Sequence, residues 1–412
     1  MMSAHPAPEC DVRRILTLNT GSSSLKIALF HVGEDVIKTM SGEVTGIGAS
    51  EARMMAETAY GDTLWDTRAR CINHPAALDA FFQEMAEHVD LGGIAAVGPR
   101  VVHGGPHYTK AARLTPKVEA DLRKLIPLAP LHMPANLDGI VAARLRLPEA
   151  IQYACFDTSF HAGMPLMAQR TGLAPGMEGD LIRRYGFHGL SYEYIVDDLG
   201  TRAGTAAARQ RLLVAHLGAG ASMTAIHNGE TVDTSMGFSA LAGLPMATRS
   251  GDVDPGLLLY MILELNWDPS VLQDQLYHGA GLLGLSGISG DVKSLLKSDD
   301  PRAGKALAQF AYQARKQAGA LIAAMGGVDR IIFTGGVGEH APSIRAAICE
   351  PLGDLYGIDF DARANAQGDA CITHPGSPVI VETVHTDEAM IIARGARAIL
   401  ESCPKTLDRQ AS

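Results

Sequence analysis

The chain has 412 residues, of which 47% are hydrophobic and 19% are charged. That composition is typical of a globular protein and excludes a disordered chain, and the length predicts two or three domains at about 150 residues each. Lys and Arg number 35 against 45 Asp and Glu, which gives a formal net charge of −10. This balance argues against a general binder of nucleic acid or of anionic membranes, since either partner requires a basic face.

The N-terminus and the cysteines indicate the compartment. Residues 1–13 lack the apolar core of a signal peptide, and we expect them to form a short disordered leader. The longest apolar stretch, at 318–328, is too short to span a bilayer. Six cysteines are scattered along the chain without a C-x-x-C pair or zinc-finger spacing. We therefore expect a cytoplasmic protein with reduced thiols that binds neither membrane nor nucleic acid.

In the first half of the chain, hydrophobic patterns predict strands that end in polar, glycine-rich turns. Residues 14–31 alternate apolar and polar residues on both sides of a turn, which predicts strand, turn and strand. The further elements are a helix over 74–90, a buried strand over 94–105 that ends in a Gly-rich loop, a Thr-Pro-capped helix over 115–126 and a strand over 151–158.

The second half repeats this style. Residues 211–229 again predict strand, glycine turn and strand, closed by an Asn-Gly hairpin signal at 228–229. The stretch 302–325 has the clearest apolar stripe of a helix, and 328–339 predicts a buried strand followed by a Gly-rich loop. A strand and then a helix are expected over 378–400. Because both halves share one strand–turn–strand pattern, we expect an internal duplication of two α/β domains.

Three glycine-rich turns follow predicted strands, at 19–24, 217–222 and 334–339. Backbone N–H groups in such turns can hold phosphate oxygens, and glycine permits the close approach and the positive φ angles that this requires. One such turn alone is most often an ordinary hairpin, and none of the three matches the Walker or dinucleotide pattern. The first turn also brings Asn19, a candidate Mg²⁺ ligand, close to Lys26.

Charged residues lie beside these turns. Arg100 and Arg249 sit between apolar strands and glycine turns, where the guanidinium fork suits an oxyanion, although a lone arginine is usually a surface charge. His188, in an aromatic–His–Gly turn, is either a donor to a transferring phosphoryl group or a packed turn histidine. Asp157 and Glu388, at the ends of predicted strands, suit Mg²⁺-nucleotide chemistry.

Ten motifs run along the chain. They are L-N-T-G-S-S-S-L-K (18–26), R-V-V-H-G-G (100–105), L-A-P-L-H (128–132), F-D-T-S-F-H (156–161), R-R-Y-G-F-H-G (183–189), H-L-G-A-G-A-S (216–222), V-D-T-S-M-G-F (232–238), T-R-S-G-D-V-D-P (248–255), F-T-G-G-V-G-E (333–339) and T-D-E-A-M-I-I-A-R (386–394). In their order and spacing the chain resembles the acetate kinase family of short-chain acyl kinases, along nearly its whole length past the leader.

The resemblance implies an α/β fold of two actin-like (ribonuclease-H-type) domains, with mixed sheets flanked by helices and an active-site cleft between them. The N-terminal acyl kinase domain is expected at 14–160 with a returning helix in 388–412, and the C-terminal nucleotide-binding domain at 161–387. The implied activity is reversible, in-line transfer of the γ-phosphoryl group of ATP to acetate. The implied cation is Mg²⁺ (or Mn²⁺), and the implied assembly is a homodimer.

The resemblance also assigns roles to single residues. Arg100, Asp157, His188 and Arg249 match the catalytic set, and Asn19 and Glu388 match the metal contacts. The positions that match nucleotide contacts are Lys26, His216, Leu217, Gly218, Ala219, Gly220, Asp291, Val292, Lys293, Gly336, Val337, Gly338, Glu339 and His340. The positions that match contacts to the acyl substrate are Arg100, Val102, Leu131, His132 and Phe187.

Some positions depart from the family pattern. Ala219, Lys293 and His340 stand where the family usually has Asn, Arg and Asn, which bears on nucleotide affinity. Ala240 replaces a usual Pro of the acyl pocket and leaves more room, so propionate is a candidate substrate beside acetate. Two further alternatives are a butyrate kinase relative and a catalytically weak actin-like protein that binds nucleotide.

Overall fold

The computed structural model describes residues 12–21, 23–174, 177, 179 and 181–401. The chain divides into two compact units, here called unit 1 (residues up to Ser159 and from Asp387 onward) and unit 2 (Phe160–Thr386). Residues 1–11 of the expected leader lie outside the described residues, and so does Ser22 of the first glycine turn. Arg13, the last residue of the expected leader, already begins the first strand.

Unit 1 is a sheet with helices on both faces. Its strands are Arg13–Thr20 (β1), Ser24–Val32 (β2), Val36–Thr45 (β3), Ala52–Thr58 (β4), Thr63–Ala69 (β5), Ile94–Val101 (β6), Ala112–Arg113 (β7) and Ile151–Phe156 (β8). Its α-helices are His74–Ala86 (α1), Pro116–Lys124 (α2), Met133–Arg146 (α3) and Glu388–Glu401, which is α15 in chain order. Short 3₁₀ turns lie at Leu91–Gly93, Ile126–Leu128 and Ser159–His161.

The sheet of unit 1 has the strand order β5-β4-β3-β2-β1-β6-β8-β7. Strands β3, β2 and β1 pair antiparallel, whereas β1, β6 and β8 pair parallel. Side chains of β1 alternate between the two faces, as the strand period requires. Leu16 and Leu18 join a buried core with Phe81 of α1. The other face is covered by α15, whose Ile392 lies where a Cβ on Gly98 of β6 would point.

Unit 2 is built around a smaller sheet. Its strands are Leu212–Leu217 (β9), Ala221–His227 (β10), Glu230–Thr234 (β11), Arg330–Thr334 (β12) and Ile380–Thr383 (β13). Its α-helices are Leu166–Gln169 (α4), Gly189–Ala203 (α5), Thr205–Ala208 (α6), Pro255–Leu263 (α7), Pro269–Asp274 (α8), Gly281–Ser286 (α9), Val292–Leu296 (α10), Pro301–Met325 (α11), Gly335–His340 (α12), Pro342–Tyr356 (α13) and Ala362–Gln367 (α14), and a π-turn covers Gln275–Gly279.

The sheet of unit 2 has the order β11-β10-β9-β12-β13, with the first three strands antiparallel and the last three parallel. This is the same order and the same direction as β3-β2-β1-β6-β8 in unit 1. The predicted Asn-Gly turn is confirmed, because Asn228 and Gly229 both have positive φ, at 56° and 80°. Two mixed sheets flanked by helices confirm the α/β fold.

One predicted loop is wrong. The residues after β12, expected to form a Gly-rich loop over 334–339, form the helix α12 instead. Gly335, with φ of 77°, turns the chain out of the strand and into this helix. The buried guanidinium of Arg345 then donates to the carbonyl oxygens of Gly338 and Glu339, so the last turn of the short helix is capped from outside.

Helix boundaries otherwise follow their caps. The helix expected over 115–126 runs from Pro116 to Lys124, and Thr115 accepts the N–H of Val118. The helix expected over 74–90 already ends at Ala86. Within the described ranges, no helix is both long and apolar enough to cross a membrane.

Candidate active site

Four polar side chains of unit 1 meet at one edge of its sheet. Asn19 and Arg100 are the next-to-last residues of β1 and β6, and Asp157 follows β8 directly. Because these strands are parallel neighbours, their carboxyl ends lie side by side, which is where open α/β sheets bind ligands. Glu388 reaches the same edge as the first residue of α15, and not as the end of a strand, since β13 stops at Thr383.

Arg100 is at the centre of this cluster. Its Nε donates to Asp157 Oδ1 at 2.7 Å, and its Nη2 donates to the other carboxylate oxygen at 2.5 Å. Its Nη1 donates to Asn19 Oδ1 at 2.9 Å. The amide nitrogen of Asn19 donates to Glu388 Oε2 at 2.8 Å, and that oxygen lies 3.8 Å from Arg100 Nε. The guanidinium is therefore oriented by three neighbours.

Burial makes this cluster sensitive to charge. The side chain of Asp157 is 1% exposed, and those of Arg100 and Glu388 are each 16% exposed. Burial lowers the pKa of the Arg100 guanidinium, but the charges of Asp157 and Glu388 raise it by more, so the arginine stays protonated. A carboxylate as buried as Asp157 needs such a partner, because a lone buried charge is strongly unfavourable.

The other predicted residues of unit 1 lie near these strand ends. Lys26 is exposed on β2 as the register partner of Asn19. Val102 is buried just after β6, and its backbone N–H donates to Oδ1 of Asn136, a buried residue that the sequence did not indicate. Leu131 is 40% exposed, and His132 directly precedes α3.

In unit 2, His188 occupies an unusual backbone position. It lies just before α5 with φ of 58° and ψ of 25°, in the left-handed region. Its ring stacks on the ring of His216 with centroids 4.4 Å apart. The preceding Phe187 is buried, and its carbonyl accepts a hydrogen bond from His161 Nε2 at 3.0 Å. Stacking and this hydrogen bond fix the turn that carries His188.

His188 and Arg249 converge on the turn between β9 and β10. A Cβ placed on Gly220 would lie 3.2 Å from His188 Nε2 and 3.1 Å from Arg249 Nη2. The Arg249 side chain is held by a hydrogen bond from Nη1 to the carbonyl oxygen of Ala240, at 2.7 Å. Two donor-bearing side chains thus border the backbone of a glycine that leaves room between them.

The side chain of Ser222 contacts His188 and that of Tyr192 contacts Ser222, and the sequence did not single out either residue. His188 Nδ1 lies 2.8 Å from Ser222 Oγ, which lies 2.5 Å from Tyr192 Oη. Ser222 is the register partner of His216 in the β9–β10 hairpin. Tyr192 follows His188 by four residues on α5, one helical turn away, and that spacing is the signal by which it could have been found.

The predicted nucleotide residues of unit 2 fall into two segments of backbone. Gly218 to Gly220 form a tight turn in which the Gly218 N–H donates to the Gly220 carbonyl at 3.0 Å. Leu217 is buried beside it, and a Cβ on Gly335 would lie 2.7 Å from the Leu217 carbonyl oxygen. The second segment, α12, carries Gly336, Val337, Gly338, Glu339 and His340. The register of β9 and β12 therefore places the start of α12 beside the β9–β10 turn.

The remaining predicted nucleotide residues begin α10. Asp291 caps this helix, since its carboxylate accepts the backbone N–H groups of Lys293 and Ser294 and the hydroxyl of Ser294. The Ser294 hydroxyl accordingly lowers the pKa of Asp291. Val292 is buried and the Lys293 side chain is exposed. The capping bonds give Asp291 a structural role of its own.

A divalent cation fits only one of these clusters by its donors. Among the residues that the structure describes, no group of three or more His, Cys, Asp or Glu side chains is placed to hold a metal. Mg²⁺ takes one or two carboxylates and fills its other positions with water and phosphate oxygens. The amide oxygen of Asn19 and the carboxylate of Glu388 are oxygen donors of that kind, and the two side chains are held together by the 2.8 Å hydrogen bond from the Asn19 amide nitrogen to Glu388 Oε2.

Comparisons with known sequences match this chain over nearly its whole length, including all the site residues described above. A sequence model of the acetokinase family matches residues 14–394. The chain is 42% identical over 384 residues to the acetate kinase of Rhodopseudomonas palustris (strain TIE-1), which covers 92% of this chain and 96% of that protein. It is 40% identical over 404 residues to the acetate kinase of Nitrobacter hamburgensis, with 97% of each chain covered.

Solved structures give the same result. The crystal structure of Porphyromonas gingivalis acetate kinase superposes with a TM-score of 0.82 at 35% identity, covering 94% of this chain and all of that one. A propionate kinase from Francisella tularensis superposes with a TM-score of 0.85 at 30% identity, covering 93% of this chain and 98% of that one. Similar folds thus occur in kinases named for either acid.

Proposed function

The chain belongs to the acetokinase family, and we propose that it catalyses reversible transfer of the γ-phosphoryl group of ATP to acetate, forming acetyl phosphate and ADP. The observation that carries this proposal is the convergence of His188 and Arg249 on the backbone of Gly220. Two donor-bearing side chains beside an open glycine turn suit the oxygens of a phosphoryl group.

The reaction joins two anions, which defines what the chain must supply. An oxygen of acetate forms the new bond to the γ-phosphorus, and the bond from that phosphorus to the ADP oxygen breaks with its electron pair leaving on ADP. Acetate is already a carboxylate at neutral pH, so no general base is required. The chain must therefore supply alignment of the two reactants and positive charge, and phosphoryl transfer depends mainly on these two.

We assign these two tasks to four side chains. Arg100 offsets the charge between acetate and phosphate, and Asp157 positions it through the two-pronged hydrogen bond. Asp157 is not assigned as a base, because both of its oxygens accept from Arg100. His188 and Arg249 hold oxygens of the phosphoryl group as charge develops on them.

The nucleotide and the cation complete the proposal. We assign the phosphates of ATP to the backbone of residues 216–220 and the adenosine to α12 and the start of α10. Asn19 and Glu388 would hold Mg²⁺ or Mn²⁺, which offsets phosphate charge when bound. The oxygen-donor pair of Asn19 and Glu388 supports the assignment of the cation. The exposed Gly336 and the open turn at Gly218 support the assignment of the nucleotide.

Formation of acyl phosphate, trapped with hydroxylamine, tests the function. Purified protein with Mg²⁺ and ATP is given formate, acetate, propionate or butyrate, and pyrophosphate replaces ATP as a control donor. We expect ATP-dependent product with acetate. Product with butyrate as the best acid would favour the butyrate kinase alternative. Binding of ATP without product from any acid would overturn the proposal in favour of a nucleotide-binding protein.

Propionate is the second candidate substrate. Ala240 stands where the family usually has Pro, and its carbonyl oxygen holds Arg249, so this small residue adjoins the proposed phosphoryl site. One methylene group is worth about 1–3 kcal/mol of discrimination in an apolar pocket. Ala240→Pro keeps the carbonyl and should lower kcat/KM for propionate relative to acetate. An unchanged ratio would remove Ala240 from the control of chain length.

We also propose a homodimer that uses the surface of α7. This helix has the sequence PGLLLYMIL, and none of its residues is buried. The large apolar side chains exposed in and after it are Leu257, Leu259, Tyr260, Leu263, Leu265, Trp267 and Val271. A contiguous apolar surface of this kind is typical of a protein interface. Sedimentation analysis should give a dimer, and the double variant Leu259→Glu, Leu263→Glu should give a monomer.

The cytoplasm is the compartment that we propose for this reaction. Cys71, Cys349 and Cys371 are free thiols. Burial raises the pKa of the Cys349 thiol to about 12, so this thiol stays protonated and unreactive. Unpaired cysteines of this kind are typical of reducing compartments.

A further inference from the structure

A buried histidine that the reaction scheme does not use contacts the turn that carries His188. His161 is 1% exposed and ends the 3₁₀ turn Ser159–His161. Its Nε2 lies 3.0 Å from the carbonyl oxygen of Phe187, and its Nδ1 lies 3.1 Å from Thr231 Oγ1. Both ring nitrogens therefore have partners, as buried polar groups require.

The protonation of the His161 ring follows from these two contacts. A carbonyl oxygen only accepts hydrogen bonds, so Nε2 carries the proton that reaches Phe187. Burial lowers the pKa of His161 to about 4, against a smaller opposing effect of the hydrogen bond to Phe187, so the ring is neutral at neutral pH. Nδ1 is then an acceptor, and the hydroxyl of Thr231 is the donor within reach. The Phe187 carbonyl therefore has a neutral N–H donor.

The ring of His161 also packs against the backbone of the same turn. A Cβ on Gly186 would lie 2.7 Å from both Cγ and Cδ2 of the ring, so only glycine leaves room for the imidazole there. Gly186 has φ of 77°, and the ring of Tyr192 lies edge-on to His161 with centroids 5.6 Å apart. Close packing of this kind leaves the imidazole little freedom to rotate away from Phe187.

The hydrogen bond to Phe187 acts on the backbone of His188 itself. The Phe187 carbonyl belongs to the planar peptide group that joins Phe187 to His188, so holding its oxygen limits the φ angle of His188. That angle is 58°, in the left-handed region that a residue with a Cβ adopts only when its surroundings impose it. The strain of one left-handed residue and the contribution of one hydrogen bond are similar in free energy. Loss of the bond should therefore release the turn.

We propose that His161 is a positioning residue, whose Nε2–H group holds the Phe187–His188 peptide so that the imidazole of His188 stays beside Gly220. The distance from His188 Nε2 to a Cβ placed on Gly220 is only 3.2 Å, so a small movement of the turn would change this approach. A displacement of about 1 Å can cost about 100-fold in rate. The effect of His161 on kcat rests on the proposed function. The hydrogen bond does not, because it can be measured on the free enzyme without turnover.

The hydrogen bond is tested by nuclear magnetic resonance of protein with ¹³C in the phenylalanine carbonyls and ¹⁵N in the histidine amides. Only a Phe directly followed by His then gives a ¹³C–¹⁵N correlation, and the chain has three such pairs, Phe30–His31, Phe160–His161 and Phe187–His188. His161→Leu removes the second signal and should move the Phe187 carbonyl signal upfield, because its oxygen loses a donor. The Phe30–His31 signal, from β2, is the internal reference and should stay in place. An unchanged Phe187 signal would overturn the proposal.

Reaction rates test whether this bond acts through His188. At saturating ATP and acetate, His161→Leu should lower kcat about tenfold or more, because the phosphoryl donor is displaced. If His161 acts only through His188, the double variant His161→Leu, His188→Gln should be no slower than His188→Gln alone. Losses that multiply in the double variant would overturn the proposal, and so would a wild-type kcat in His161→Leu.

His161→Gln is the conservative variant, because the amide nitrogen of glutamine can reach the place of the imidazole Nε2. It should keep the Phe187 carbonyl signal and a kcat within about threefold of the wild type, the effect of one weakened neutral hydrogen bond. A glutamine variant that keeps the signal but is as slow as His161→Leu would contradict the proposal. If His161→Leu does not fold, His161→Asn takes its place, since the shorter amide stops short of the Nε2 position.

Gln152→Leu is the matched control. Gln152 is also buried, and its side chain also donates to backbone carbonyl oxygens, those of Leu147 and Ala150. This variant should lose stability but keep both the Phe187 signal and the wild-type kcat. A wild type that forms no acyl phosphate would refute the proposed function alone, because the carbonyl signal still decides whether His161 holds the turn.

Discussion

The two sheets share one strand order, yet the carboxyl ends of their parallel strands carry different chemistry. In unit 1 the ends of β1, β6 and β8 present the side chains of Asn19, Arg100 and Asp157. In unit 2 the end of β9 leads into the Gly218–Gly220 turn, and β12 leads into α12 through Gly335. The same edge of the fold thus uses charged side chains in one unit and glycine backbone in the other.

This difference shows what the fold determines and what the residues determine. Strand order puts a site at the same edge of both sheets. Side chains supply charge at that edge, but they need partners when buried, as Asp157 does. Glycine supplies no charge and instead lets a ligand approach the backbone, so cations must come from elsewhere, as Arg249 does beside Gly220. We therefore expect altered site residues to lower mainly the stability in unit 1 and mainly the catalytic rate in unit 2.

The largest expected effect is on stability, in unit 1. Asp157→Ala leaves Arg100 buried without its two-pronged partner, which should lower the free energy of unfolding by about 3 kcal/mol, as for other broken buried pairs. Urea unfolding followed by circular dichroism measures it. The control is Asp66→Ala, because Asp66 accepts from Arg53 in the same two-pronged geometry, at 2.8 and 2.7 Å, but on the exposed surface of the same unit.

Asp66→Ala should leave the unfolding midpoint almost unchanged, since exposed ion pairs contribute little. Equal loss in the two variants would mean that burial does not set the strength of the Arg100–Asp157 pair. The charged edge of unit 1 would then behave like an ordinary exposed surface. The claim that unit 1 depends on buried, partnered side chains, in contrast to unit 2, would be wrong.

The next effect is on catalysis, in unit 2. Arg249→Ala removes the cation beside Gly220 and should lower kcat by about 10²-fold, as loss of one charge-stabilising donor does. Acyl phosphate formation at saturating ATP measures it. Arg302→Ala is the control in the same unit, because Arg302 is exposed and paired with Asp300, and its kcat should equal that of the wild type. A near-normal kcat for Arg249→Ala would remove this residue from the mechanism.

A smaller effect should come from the glycine backbone itself. A Cβ on Gly220 would lie 3.1 Å from Arg249 Nη2 and 3.2 Å from His188 Nε2, so Gly220→Ala must displace both groups. We expect kcat to fall about tenfold, equivalent to about 1.4 kcal/mol in the barrier. Gly218→Ala, two residues earlier in the turn, meets only the Gly220 carbonyl oxygen at 3.4 Å and should be much milder. Similar losses in the two variants would mean that the turn as a whole, and not the close approach at Gly220, matters.

Local sequence signals predicted the parts of the fold that depend on neighbouring residues. Alternation gave the β1–β2 and β9–β10 hairpins, and the apolar stripe gave α11, because side-chain periodicity is a local property. The stretch that forms β3, β4 and β5 was not predicted. The side chains of β3 are mostly half-buried, so the alternation that marks a strand with one buried face is weak there.

Long-range contacts account for the rest. The helix α12 begins with two glycines, which favour a loop, and it is capped by Arg345, which lies outside the segment. The bond between Asn19 and Glu388 joins residues 369 positions apart, so only the topology brings them together. Their roles entered through the family resemblance and not through local pattern. The Ser222–Tyr192 contact depends on how α5 packs on β10, which no local pattern reports.

The smallest expected effect tests whether a side chain can strengthen the backbone site of unit 2. Ala219 is exposed in the turn after β9, and its carbonyl oxygen accepts the N–H of Ala247 at 3.1 Å, so a larger side chain can be accommodated without burial. Ala219→Asn adds an amide donor beside the proposed phosphate position and should lower KM for ATP about threefold, close to the value of one neutral hydrogen bond. Ala219→Leu has almost the same size without the amide, and it should leave KM unchanged or raise it. A lower KM with both variants would assign the effect to loop rigidity, whereas no change with Asn would mean that the backbone alone already satisfies the phosphate.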